Sequence, residues 1–239
     1  MHELTWLPPH APDAPFPDVG RALHEPNGLL AVGGDLAPAR LLRAYRAGIF
    51  PWYSPGEPIL WWSPDPRAVI VPERLRVPRR LARTLRQGRF RISYDTAFRA
   101  VVEACAAPRH GSSGTWISAE MMDAYTRLHR LGHAHSVEAW DGETLVGGLY
   151  GVAVGQVFSG ESMFSRARDA SKVVLAHLCA RLRRLGFTLL DGQVLSGHLL
   201  RLGAETLSRQ RFVALLRLPG PGDRAGAWPA AARADETPA

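Results

Sequence analysis

Over the first sixty or so residues apolar positions are scattered among Pro, Gly and Trp, and only Pro38 to Ala47 carries a helical spacing. Leu41, Leu42 and Tyr45 share a face there, and Gly48 stops the helix. This predicts a small, loop-rich N-terminal domain, residues 1–66. Two short extended segments, Ile59 to Trp62 and Ala68 to Val71, flank Ser63-Pro-Asp-Pro66, whose prolines force turn or extended geometry. They lead into a larger domain, residues 67–218. Within it Thr96 to Ala106 and Ala119 to Leu131 read as amphipathic helices, the second capped by Ser118 and burying Met121, Tyr125 and Leu128. The spacing then changes to two: a strand from His135 to Trp140, an Asp141-Gly142 hairpin turn, a strand from Leu145 to Val152, a turn at Gly155, and a strand through Phe158 to Glu161. Helical spacing returns from Ala170 to Leu185, with Asp169 as N-cap, Val174, Leu178, Leu182 and Leu185 as the buried stripe, and Gly186 as the stop. Phe187 to Leu195 reads as an apolar strand. From Pro219 the pattern dissolves into Gly, Pro, Ala and Asp, which predicts a flexible tail over 219–239.

Composition adds charge to this outline. With 239 residues and 46% hydrophobic content the chain can build a substantial core. Its formal net charge is +7, and Lys172 is the only lysine among 29 basic residues. The arginines concentrate at Arg74, Arg76, Arg79, Arg80, Arg83, Arg86, Arg89 and Arg91, in a segment whose middle can be helical on Leu75, Leu81 and Leu85. Arg76, Arg79, Arg80 and Arg83 would share a face. Such a surface attracts polyanions such as RNA, although a solvated basic helix reads the same way. Two cysteines, Cys105 and Cys179, are too few for a disulfide framework and fit a reducing compartment, so a cytoplasmic location is expected. Neither a signal peptide nor an apolar run long enough to span a membrane is present.

Chemistry concentrates on two strands. Side-chain alternation puts Leu189, Asp191, Gln193 and Leu195 on one face of the last strand, an acid and an amide inside an apolar segment, with Gly192 removing bulk from the other face. Burying a carboxylate is costly unless it is paired or used, so the pair is either a site or a hydrogen-bonded strand end. On the earlier strand Ser159, Glu161 and Met163 share a face and supply a second carboxylate; a salt bridge from Glu161 to Arg166 is its structural alternative. Trp52, Trp61, Trp62 and Trp116 are core by default but suit a pocket wall or base stacking. His133 and His135 lack partners at metal-ligand spacing, no G-x-S-x-G elbow marks a nucleophilic serine, and neither Gly33-Gly34 nor Gly147-Gly148 forms a phosphate-binding loop. No metal and no cofactor is expected. Three antiparallel strands, a helix and a further strand are the core order of the GNAT acyltransferase fold, so the fold class is α+β with a mixed sheet.

Several longer runs occur in order between Ala22 and Leu216: Glu25-Pro-Asn-Gly-Leu-Leu-Ala-Val-Gly-Gly-Asp-Leu36, Ala44-Tyr-Arg-Ala-Gly-Ile-Phe-Pro-Trp52, Leu60-Trp-Trp-Ser-Pro-Asp-Pro-Arg67, Gly114-Thr-Trp-Ile117, Leu131-Gly-His-Ala-His-Ser136, Gly160-Glu-Ser-Met-Phe-Ser-Arg166 and Asp191-x-Gln193. Through them the chain resembles the bacterial leucyl/phenylalanyl-tRNA-protein transferases. The resemblance implies a small N-terminal domain joined to a GNAT-like C-terminal domain that uses no acetyl-CoA. It implies an enzyme that moves Leu or Phe, and less well Met, from aminoacyl-tRNA to proteins beginning with Arg or Lys, marking them for N-end-rule degradation, with neither DNA nor membrane as partner. The absence of a Gly-rich turn in Ser165-Arg-Ala-Arg-Asp-Ala-Ser-Lys172 agrees with a protein that holds no pyrophosphate there.

By the same resemblance Asp191 orients or deprotonates the acceptor amine, Gln193 positions it or the ester, and Glu161 helps bind the cationic N-terminus. The amino-acid pocket would be lined by Trp52, Trp116, Leu149, Met163, Ser165 and Leu178. Arg76, Arg79, Arg80, Arg83 and Arg86 would meet the tRNA backbone. The sequence departs from the family pattern at Leu149 and Leu178, whose positions can carry Met and Phe, and at Gly192, whose position can be Cys. The competing readings are another GNAT-like acyl or aminoacyl transferase and, outside enzymes, a basic RNA-binding module. The latter accounts for the arginines and tryptophans but not for Asp191, Gln193 and Glu161 in one apolar setting.

Overall fold

Two sheets carry the fold in the computed structural model, which describes residues 4–108, 115–224, 226–231 and 238. The smaller sheet has the order β1-β2-β4-β3 and is built from β1 (Thr5–Leu7), β2 (Leu29–Gly33), β3 (Phe50–Pro51) and β4 (Leu60–Trp62). Helix α1 (Pro38–Arg46) starts on a proline that needs no intrahelical N–H partner and buries Leu41, Ala44 and Tyr45. Gly48, at φ 75°, takes the left-handed conformation that turns the chain into β3. Arg40, fully buried, donates to the Pro8 and Ala11 carbonyls and pairs with Asp35 at 3.3 Å, fastening the N-terminal loop to α1.

Between Trp62 and Arg67 the chain crosses to a seven-stranded mixed sheet. Its strands are β5 (Arg67–Ile70), β6 (Arg91–Tyr94), β7 (Ala134–Asp141), β8 (Thr144–Val154), β9 (Val157–Ser165), β10 (Leu189–Gln193) and β11 (Glu205–Leu207), in the order β11-β5-β10-β9-β8-β7-β6. The β7–β8–β9 meander is antiparallel, and β10 returns parallel to β9 through α5 (Ala170–Leu185). That is the GNAT-like order the spacing predicts. The remaining helices are α2 (Arg79–Gln87), α3 (Phe98–Ala106), α4 (Ala119–Arg130), α6 (Gly197–Arg201) and α7 (Arg209–Leu216).

Period-two alternation on β8 gives each face of the large sheet its own core. Tyr150, Val152 and Val154 pack with α1, α3 and α4, a core shared with the smaller sheet. Leu149 and Ala153 face the other way, onto α5. Each fully buried Leu or Phe in these layers contributes about 1.5–3 kcal/mol. Ser118 caps α4 by accepting from the Met121 N–H, as expected.

Four expectations change. Asp169 holds the expected N-cap position of α5 but does not cap it with its side chain: it sits at φ 64° and turns its carboxylate to Lys172 at 2.7 Å instead of to the α5 N–H groups. Arg76 shares no helical face with Arg79, Arg80 and Arg83, because Pro78 delays α2 to Arg79, and the Arg76 N–H bonds the Leu202 carbonyl. β9 runs on to Ser165 and β10 stops at Gln193, just past a bulge at Gly192. The segment from Pro219 is not free over its described residues. Ala231 bridges Tyr94 on β6, and Trp228 lies buried between His135 and Phe158. Residues 232–237 and 239, with Gly114 of the sequence motifs, lie outside the described residues.

Candidate active site

β9 and β10 pair in parallel only as far as Ser159 and Asp191. Beyond that point both strands bulge. On β9, Gly160 and Ser162 face the consecutive residues Gly151 and Tyr150, so Glu161 is the extra residue; on β10, Asp191 and Gln193 face Val69 and Ala68, so Gly192 is. Gln193 takes φ 61°, a left-handed conformation unusual for a side-chain-bearing residue. The two strands part, and a cavity of about 340 Å³ opens between Gly160–Met163 on one and Asp191–Val194 on the other. Simple alternation places Asp191 and Gln193 on one face; the bulge at Gly192 cancels it and turns Gln193 toward Glu161.

Asp191 is completely buried, and its carboxylate is fully engaged. Arg67 binds it through two parallel bonds, Nε to Oδ1 at 2.8 Å and Nη2 to Oδ2 at 2.7 Å. Ser159 Oγ donates to Oδ2 at 3.1 Å and the Gln193 N–H to Oδ1 at 2.8 Å, filling the four acceptor positions of a carboxylate. Arg67 is itself buried, stacked between the rings of Phe50 and Phe212 at 4.8 and 4.6 Å, and donates from Nη1 to the Gly48 carbonyl. It ties the smaller sheet, α7 and β10 to one carboxylate. Sequence reasoning passes over Arg67 because it falls among many arginines; the signal available was an arginine opening an otherwise apolar strand.

Glu161 makes no ion pair among the described residues. Gln193 Nε2 donates to Oε1 at 2.9 Å and the Tyr125 hydroxyl to Oε2 at 2.7 Å, with Tyr45 a further 2.6 Å along the chain of phenols. Arg166 stacks over Phe164 and makes no bridge to Glu161. Burial pushes the Glu161 carboxyl up to about 7, against the lowering effect of the Tyr125 and Tyr45 hydroxyls and with a smaller upward push from Asp191. Burial, reinforced by Glu161, holds the phenols of Tyr45, Tyr125 and Tyr150 well above their ordinary value, so they remain protonated. The cavity therefore carries a titratable carboxylate and an amide along one edge. Its other walls are largely apolar, with Ile70, Trp116, Leu149, Met163, Leu175 and Leu199.

The family model described as leucyl/phenylalanyl-tRNA protein transferase matches residues 69–217, and its N-terminal-domain counterpart matches residues 34–65. A leucyl/phenylalanyl-tRNA–protein transferase of Alkalilimnicola ehrlichii is 61% identical over 91% of this chain and 84% of its own length. One of Aromatoleum aromaticum is 59% identical over 92% and 93%. The chain belongs to the leucyl/phenylalanyl-tRNA protein transferase family. It is accordingly a transferase enzyme, with aminoacyl-tRNA and protein as substrates. Among solved structures, L-PGS from Bacillus licheniformis aligns at 11% identity over 62% of this chain and 47% of its own, with a TM-score of 0.40.

Of the residues that the transferase resemblance singles out, Glu161, Asp191, Gln193, Trp116, Leu149 and Met163 meet at this cavity. Three do not line it. Leu178 is buried in the core beneath, and Leu175, one helical turn earlier on α5, takes the wall instead. Ser165 turns its hydroxyl to the Ala167 carbonyl and accepts the Ser171 N–H, closing the loop into α5. Trp52 is 47% exposed beside Trp62 on the smaller sheet, whose indole donates to the Trp52 carbonyl. Arg76, Arg79, Arg80, Arg83 and Arg86 are all exposed. A separate group, Asp95, His129 and His135, clusters away from the cavity; His135 Nδ1 pairs with Asp95 at 2.7 Å and His129 Nδ1 with the Ala134 carbonyl at 2.8 Å, so both nitrogens serve internal bonds.

Proposed function

We propose that this transferase moves Leu or Phe, and less well Met, from aminoacyl-tRNA to proteins beginning with Arg or Lys, and that the cavity between β9 and β10 is where the bond forms. The observation that carries this reading is the pairing, in one cavity, of apolar walls with the Glu161–Gln193 edge. The walls accept an aliphatic or aromatic side chain and exclude polar ones, though they separate near-isosteres by only about 1–3 kcal/mol. The carboxylate faces the cationic N-terminus of the acceptor. The reaction is aminolysis of an ester: the α-amine, with an ordinary pKa near 7.7–8, attacks as the neutral form while the ribose hydroxyl leaves. Gln193 spends an amide hydrogen on Glu161 and keeps its oxygen to receive the amine. Asp191, whose acceptor positions are filled by Arg67, Ser159 and the Gln193 N–H, works by fixing Gln193 in its left-handed conformation and not by taking the proton.

Adding a bulky apolar residue to a basic N-terminus changes which degradation machinery reads it, so the products would be N-end-rule substrates, and a donor made for translation sets the reaction in the cytoplasm. The deciding experiment combines purified protein, phenylalanyl-tRNA and a peptide beginning with Arg. A product heavier by one Phe is expected, and none when the peptide begins with Asp. An unmodified Arg peptide, or equal modification of both, overturns the reading.

A further inference from the structure

Residues of α6 line two cavities, and His198 borders both. One is the site already described. The other, about 160 Å³, opens between the start of α2 and the start of α5, on a floor of Pro78, Leu81 and Leu202. Its polar wall carries Arg80, Lys172 and Arg201 against a single acid, Asp169. Asp169 is largely covered. It takes Lys172 Nζ at 2.7 Å and lies 4.0 Å from the Nε of both Arg80 and Arg168, so one carboxylate gathers three cations at the pocket edge. Arg201 makes no ion pair with any described residue, which leaves the pocket with two positive charges beyond what Asp169 offsets. His198 feels them: burial first, then Arg201 and Lys172, lower its pKa and favour the neutral ring. Arg80, Lys172 and Arg201 are solvent-accessible at the rim of this concavity, and the floor beneath them is apolar.

We propose that this second pocket seats the phosphate attached to the 5′ side of the donor's terminal adenosine, while the aminoacyl ester on the same ribose lies in the neighbouring cavity. This rests on the reading of the donor as aminoacyl-tRNA. An aminoacyl-tRNA end carries its ester and that phosphate on one sugar, and the two cavities are neighbours that share His198. The pocket holds a phosphodiester group and not a whole nucleotide. Two or three cations around its non-bridging oxygens make the charge-assisted bonds that fix register without reading sequence. The exposed arginines further along α2 face solvent and would meet more distant phosphates.

The test uses two small donors, the phenylalanyl ester of adenosine and the phenylalanyl ester of adenosine 5′-monophosphate, with the Arg peptide as acceptor. They differ by this one phosphate, which separates it from every phosphate further along tRNA. In the wild-type enzyme the phosphate is expected to raise kcat/KM by about tenfold or more, through KM and less so at high salt. In the Lys172→Gln/Arg201→Gln enzyme the ratio between the two donors is expected to fall to about one, by loss on the phosphorylated donor. A wild-type ratio near one overturns the proposal without recourse to any variant. A ratio that survives the double substitution also overturns it, because the phosphate is then read elsewhere. Transfer from phenylalanyl-tRNA alongside a ratio of one strikes this inference alone; no transfer from any donor strikes the proposed function.

Discussion

Asp191 and Glu161 lie on neighbouring strands of one sheet, and their partners set them opposite tasks. Asp191 is matched by a buried guanidinium, so its charge is a structural fixture. Removing only the arginine leaves an uncompensated buried carboxylate, and Arg67→Met should cost about 3–5 kcal/mol in urea unfolding; a loss under about 1 kcal/mol would show the pair to be dispensable. Asp191→Asn and Gln193→Ala should still bind charged tRNA but lose transfer by about 10² or more. Near-normal rates from either would refute the assignment. Glu161 is the group that titrates. Its carboxyl is raised from 4.5 to about 7, so the folded chain holds the proton more tightly than the unfolded chain. Its contribution to stability is present below pH 4.5 and is lost as pH rises through about 7, a change on the order of 3 kcal/mol that Glu161→Gln should abolish. Function runs the other way, because only the ionised form attracts a cationic N-terminus. KM for the Arg peptide should fall as pH rises through about 7 in the wild type and lose that inflection in Glu161→Gln; the same profile in both would remove Glu161 from acceptor binding.

At the scale of elements, what is legible in the sequence is whatever announces itself by period and punctuation. Asp141-Gly142 marks the β7–β8 hairpin, Gly186 ends α5, and Ser118 opens α4, because each residue type answers a local backbone demand. The bulges at Glu161 and Gly192 answer to neighbouring strands and have no local signature. The residue types of the site are therefore readable, while the way Gln193 turns onto Glu161 is not. Edge strands β6 and β11, at four and three residues, are too short for alternation to register. α2 shows the same division: Gly88 in the left-handed region and Leu81 in the core define the helix, while nothing local says what its arginines meet. If they meet tRNA phosphates, Arg79→Gln/Arg80→Gln/Arg83→Gln should weaken tRNA binding and flatten the dependence of log affinity on log salt by about 2–3 units, since each neutralised phosphate contributes roughly 0.7–0.9. Unchanged affinity and slope in filter binding would take α2 out of the interface.

At the scale of the whole molecule the C-terminal segment closes the fold, and its composition hides this. A single Trp among Ala, Gly and Pro has no periodicity to reveal its partners. Trp228 nonetheless stacks on His135 and Phe158, at centroid distances of 4.8 and 5.2 Å, and meets Tyr94 and Phe187 edge-on. Arg181 donates to the Pro229 carbonyl beside it, and Ala231 exchanges two backbone bonds with Tyr94. Phe158 stands three residues before Glu161 on β9, so the segment braces the strand that carries the site. Trp228→Ala should cost about 3–5 kcal/mol through the cavity it leaves, lowering Tm by about 10 °C for a domain of this size. Trp228→Phe should cost much less than that. The indole N–H is buried with no hydrogen-bond partner among the described residues, so a ring lacking it forfeits area but no bond. If the alanine variant melts with the wild type, the segment is an appendage; if phenylalanine costs as much as alanine, the indole N–H has a partner and the stacking account of Trp228 is wrong.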